Sequence, residues 1–172
     1  ANYIGLRALL HAGGLAESDV SLDSIGYTQV ESFAGGRDRV VSVYTANEPV
    51  QLRAQGYAID ELRVADYLQM ASNGLITNEA TIAGNPDLVR SMVAALVQGI
   101  DYSLAHPDEA YDICAGYVDG LDASAESVQR QVLATSMELW RAARLGLSDP
   151  VAWENMQTVL LEMGLLSGPL DL

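Results

Sequence analysis

The sequence predicts an α/β fold, a parallel sheet with helices on its faces, and three observations lead there. Helical and strand-like segments alternate from the first residues to about Val64, the order that builds such a sheet. Val40, Val41 and Val43 form a β-branched, nearly continuous apolar run, the pattern of a strand covered on both faces. The 172 residues are 49% hydrophobic, enough to bury the core of one domain or two small lobes.

Asn2 to Ala12 reads as a helix with Tyr3, Leu6 and Leu10 on one stripe and Gly13 or Gly14 as its stop. Val20 to Tyr27 follows as a strand, apolar at Val20, Leu22 and Ile25. A short helix from Thr28 to Ala34 ends at Gly35 and Gly36, and Arg39 to Tyr44 is the next strand. Pro49 to Gln55 is another short helix, and Ile59 to Val64 a further strand. A sheet of this kind normally opens on a strand, and here a helix comes first.

Tyr67 to Thr77 reads as one or two short strands broken at Asn73-Gly74. Beyond it the pattern is helical. Asn85-Pro86-Asp87 starts a helix with a capping amide, a proline in the first turn and an early acid. Its apolar stripe runs through Val89, Met92, Val93, Leu96, Val97, Ile100 and Leu104. His106-Pro107 opens the next helix, and Asp122 to Arg144 makes a long one with Val128, Val132, Leu139 and Trp140 inward. Asp149-Pro150 opens the last, with Met156, Val159, Leu160 and Met163 on its stripe and Gly164 as its stop. Trp140 and Trp153 are read as packing residues. The chain thus divides into an α/β lobe over residues 1–64 and a largely helical part over residues 65–172.

Charge narrows the function. There are 23 acidic residues against 9 basic ones, for a net charge of -14. A nucleic-acid partner needs a cationic footprint and is excluded on that balance; the preferred ligand is neutral or cationic. Cys114 has no second cysteine to pair with, and His11 and His106 do not stand in metal-ligand spacing. No Walker or dinucleotide glycine pattern occurs, and no serine or cysteine sits in a recognisable nucleophile elbow. The sequence therefore gives no support to a nucleotide cradle, a nucleophilic triad or a metal site, and the expectation is of no cofactor; carboxylates could still serve in acid-base chemistry.

Asn47-Glu48-Pro49 allows two readings. An amide, an acid and a proline together start a helix. The same residues follow the strand ending at Tyr44, and ligands of parallel α/β sheets sit beyond the carboxyl ends of the strands. Tyr3, Tyr27, Tyr44 and Tyr67 stand near strand ends or helix starts, where a tyrosine can stack on a flat ligand.

Several stretches carry a family resemblance: ANEPVQL, then DYLQMASNGLITNEATIAGNPDLVRSMVAALVQGIDYSLAHPDEAYDI, then ELW and DPVAWENMQTVLLEMGLL. In this order they resemble the NMT1/THI5-like solute-binding proteins of ABC importers, in the branch associated with thiamine pyrimidine precursors and riboflavin. The resemblance implies the type 2 periplasmic-binding fold, two α/β lobes closing on a solute. The chain would be a C-terminal fragment, residues 1–64 supplying most of the second lobe and the rest returning to the first. It further implies a small-molecule solute and a membrane permease as partners. The location implied is periplasmic, or extracellular on a lipoprotein anchor, with the signal sequence outside this chain. Asn2, Tyr3, Tyr44, Asn47, Glu48 and Asn73 are the ligand-binding residues it suggests. In GGRDRVV, Arg39 stands where the family usually has a small residue. The cysteine-rich CCCFC motif of the pyrimidine-synthesising members is missing from the sequence.

Overall fold

The computed structural model describes residues 2–119, 121 and 123–172. Eight α-helices carry the described chain: α1 (Asn2–Ala12), α2 (Gln29–Ala34), α3 (Glu48–Ala54), α4 (Glu79–Gly84), α5 (Pro86–Ala105), α6 (Pro107–Ala115), α7 (Glu126–Trp140) and α8 (Pro150–Glu162). They fall into two compact units, one running to Ala71 and completed by Ser148–Leu172, the other Ser72–Leu147.

In the first unit α1 packs on α8 and on a short 3-10 turn, Val64–Asp66, while α2 packs on α3. The buried residues are Ala8, Leu10, Ser32, Pro49, Val50, Leu52, Ala152 and Val159. Phe33 meets Tyr57 edge to face, with centroids 6.3 Å apart, a favoured aromatic geometry. Polar bonds tie α8 to the chain before it: Asn155 Nδ2 donates to the Gln69 carbonyl (2.8 Å) and the Ala71 N–H to the Ala152 carbonyl (3.2 Å).

In the second unit α5, α6 and α7 pack on one another, with Ala110, Tyr111 and Met137 buried. Arg130 is its polar hub. The guanidinium lies 4.0 Å from the Tyr111 ring centroid and bonds Glu126 (2.8 Å) and Asp112 (2.6 Å). Those carboxylates, Glu126 first, raise its pKa further, so the charge is permanent.

The capped starts form as expected. Asn85 Oδ1 accepts from the Leu88 N–H (3.3 Å) and Asp149 Oδ1 from the Val151 N–H (3.0 Å), each beside a proline in the first turn. Gly164, at φ 68°, ends α8 in the left-handed region that favours glycine. Helix α4 was not anticipated: Asn78 Oδ1 accepts from the Thr81 N–H (2.8 Å) and starts it.

The strands are the main correction. Among the described residues no strand occurs; 20–25, 39–44, 57–63 and most of 67–77 run as irregular chain. A strand exists only as part of a ladder, and these stretches find no ladder partner among the described residues. Val20 keeps extended torsions, φ −127° and ψ 155°, without one. Val40, read as covered on both faces, is 84% exposed.

Other expectations shift as well. The long helix over 122–144 begins at Glu126 and ends at Trp140; Asp122 itself lies outside the described residues. Trp140 and Trp153 are partly exposed and not core residues, and α5 buries none of its stripe. Helical periodicity specifies a face to be covered, and does not specify what covers it.

Candidate functional site

The first unit brings the start of α1 to the chain that leads into α3. Asn2 Nδ2 donates to the Ser42 carbonyl (3.2 Å), and the Ser42 hydroxyl donates to the Asn2 carbonyl (3.3 Å), across forty positions of sequence. Two residues on, the chain turns sharply. The Asn47 N–H donates to the Tyr44 carbonyl (2.9 Å), and the Tyr44 N–H donates to Glu48 Oε2 (2.9 Å).

Pro49 sits beneath this turn as a fully buried side chain and anchors it. Asn47 occupies the cap position of α3, but its side chain does not cap: Oδ1 accepts from Gln51 Nε2 (2.8 Å), one turn along the helix. The carbonyl of Asn47 receives the Val50 and Gln51 N–H groups. Among the described residues, the Asn47 amide nitrogen, Glu48 Oε1 and the Tyr44 hydroxyl have no protein partner. One short turn therefore offers a donor, a charged acceptor and a half-exposed aromatic ring.

Tyr3 is placed differently. Its hydroxyl donates to Glu17 Oε2, and Arg7 Nη1 donates to that same oxygen and to the Tyr3 hydroxyl. The Tyr3 phenol first, and the Arg7 guanidinium second, hold the Glu17 carboxyl below its ordinary value. A carboxyl held low stabilises the fold above its ordinary range, and that contribution fades as the pH falls through the lowered value. We expect Tyr3→Phe to move the Glu17 titration back toward the ordinary range and the acid-unfolding midpoint to higher pH. Carbon-detected NMR of the side-chain carboxyl reads the first; a Glu17 titration that does not move would remove the phenol from this account.

Asn73 lies on an exposed bend of the second unit and makes no hydrogen bond among the described residues. Tyr27 is 99% exposed and Tyr67 is also open to solvent.

Sequence reasoning missed a cleft. Arg7 and His11 on α1, Glu17 on the turn after it, and Glu162 on α8 border a space of about 340 Å³. His11 Nδ1 lies 3.2 Å from Glu162 Oε2. Arg7 and His11 stand four apart on one helix face, a spacing visible in the sequence, but Glu162 joins them only through the packing of α1 on α8. Among the described residues no group of three or more His, Cys, Asp or Glu is placed to hold a metal, and no helix is long and apolar enough to cross a membrane.

Comparison with known proteins adds a separate line of information. A profile of the family described as NMT1/THI5 like matches residues 2–110. The chain is 38% identical over 175 residues to the riboflavin-binding protein RibY of Chloroflexus aurantiacus, covering 99% of this chain and 50% of that protein. It is 24% identical over 157 residues to a formylaminopyrimidine-binding protein of Halalkalibacterium halodurans, covering 88% of this chain and 48% of that one. Both relatives are named for binding. The chain spans about half the length of the curated relatives it matches. No solved structure matches it.

Proposed function

The chain belongs to the NMT1/THI5-like family, whose fold is periplasmic-binding-protein-like, and from that premise we propose that it is the solute-binding part of an ABC importer. Its cargo is a small heteroaromatic vitamin or precursor, riboflavin or a thiamine pyrimidine. The observation that carries this reading is 38% identity across 99% of the chain to a protein named for riboflavin binding. The protein captures its solute and leaves it chemically unchanged.

The chain spans about half the length of the relatives it matches, and in this proposal it is the C-terminal part of a two-lobed protein. Residues 1–64 form most of the second lobe, and residues 65–172 supply the crossover and the helices that return to the first. The solute bridges both lobes and favours the closed state by binding it more tightly than the open one. A permease in the membrane reads that state. The working location is outside the cytoplasm, in the periplasm or on a lipid anchor.

Tyr44 stacks on the ring of the solute, while Asn47 donates and Glu48 accepts at its ring nitrogens, amino or hydroxyl groups. Asn2 and Tyr3 contribute from the start of α1, and Asn73 from the crossover side. A carboxylate at Glu48 disfavours sulfonates and other anions.

Thermal unfolding of the whole protein tests the ligand class. Riboflavin or an aminopyrimidine near a hundred times its Kd is expected to raise the Tm by about 5 °C or more, and taurine to leave it unchanged. A shift with taurine and none with any heteroaromatic would overturn the proposal.

A further inference from the structure

The cleft between α1, α8 and the Glu17–Asp19 turn uses none of the residues of the Tyr44–Glu48 turn. Its floor is firm, since Val159 of α8 is only 3% exposed. Leu15 and Met163 supply apolar walls, and Leu15 is half exposed. The volume, about 340 Å³, falls within the range of clefts that take small molecules.

Charge selects the occupant. Arg7 and Glu17 neutralise each other as an ion pair, and the Tyr3 hydroxyl donates to Glu17 as well. Glu162 has one polar contact, the imidazole of His11, which carries charge only when protonated. With His11 neutral, the cleft sets two carboxylates against one guanidinium. The surplus negative charge belongs to Glu162, whose Oε1 has no protein partner among the described residues. An anion is repelled, and an uncharged apolar molecule gains nothing from that carboxylate, whose side chain stays 43% exposed. A flat cation with N–H donors on one edge meets both requirements: it pairs with the carboxylate and lies against the soft thioether of Met163.

We propose that this cleft is a second binding site, for a small planar cation of the amidine class. Glu162 is its charge partner, and Leu15 and Met163 hold its ring. The site shares no residue with the Tyr44–Glu48 turn, and Tyr3, bonded to Glu17 at its edge, is not needed for the pairing with Glu162.

Benzamidine is the probe, titrated into the whole protein at about pH 8. Calorimetry and the methyl resonance of Met163 are expected to report one saturable site in the millimolar range, about 4 kcal/mol of binding by the usual conversion. Glu162→Gln is expected to weaken it about tenfold. His11→Ala, which removes the competitor for Glu162, should tighten it, a result that a loss of folding cannot mimic. Glu138→Gln removes an equal charge from α7, at a side chain 73% exposed, and should change nothing. Guanidinium ion, which lacks the ring, should bind more weakly than benzamidine. The proposal is overturned if benzamidine shows no saturable binding or if guanidinium binds as well as it does. It is equally overturned if Glu138→Gln weakens binding as much as Glu162→Gln, or if His11→Ala fails to tighten it.

Discussion

Leu52→Ala is expected to lower the unfolding free energy of the first unit by about 2–5 kcal/mol, the usual cost of emptying a filled core position. Leu52 is 3% exposed and lies on α3 beside buried Pro49 and Val50. Helix α3 has seven residues, far too few to persist alone in water, so packing against α2 keeps it folded. The Leu52 carbonyl also receives the Tyr57 N–H (3.0 Å), which closes the helix and positions Tyr57 against Phe33. The loss therefore reaches function, because the first residue of α3 is Glu48 and its cap is Asn47. Leu62→Ala is the control: Leu62 is 70% exposed, and its change should stay within about 0.5 kcal/mol. Urea unfolding of both variants tests the claim, which is lost if the two cost the same.

The helices were legible because their signals are local. Asn85-Pro86-Asp87 and Asp149-Pro150 carry cap and proline within a few residues, and both helices start there. Asn78-Glu79 carries a similar cap in front of only six helical residues, directly after the strand-forming NGLIT, and the stronger β signal masked it. The expected strands were a different kind of inference. Val40, Val41 and Val43 state a preference for a ladder, and a preference becomes a strand only where a second chain segment supplies hydrogen bonds. The α5 stripe makes the same point, since Met92, Val93 and Leu96 all remain exposed.

The two candidate sites divide along the same line. The Tyr44–Glu48 turn was visible because a proline after an amide and an acid breaks a β-branched run within a few residues. What the sequence did not show is the division of labour inside it, with Glu48 bonding back to Tyr44 and Asn47 turned to Gln51. The α1–α8 cleft was invisible: Glu162 lies far from Arg7 and His11 in sequence, and no motif links them.

Glu48→Gln is expected to weaken capture of the heteroaromatic solute about tenfold or more while leaving the fold intact. Glutamine keeps a carbonyl oxygen to receive the Tyr44 N–H, so the turn retains its hydrogen bond. The change falls on the other side of the group, where an unpartnered carboxylate oxygen becomes an NH₂ donor. A solute N–H or O–H aimed there then faces a donor instead of a charged acceptor. Hydrogen bonds to charged groups contribute about 1.5–3 kcal/mol, which converts to about tenfold to a hundredfold in Kd. Asn47→Ala should cost less, because the Asn47 side chain does not cap α3 and loses only its bond to Gln51 and its contact with the solute. Calorimetry with riboflavin and an aminopyrimidine on the whole protein measures both variants. If Glu48→Gln binds its solute unchanged, Asn47 and Glu48 serve only to shape the turn that leads into α3, and recognition lies elsewhere on the protein.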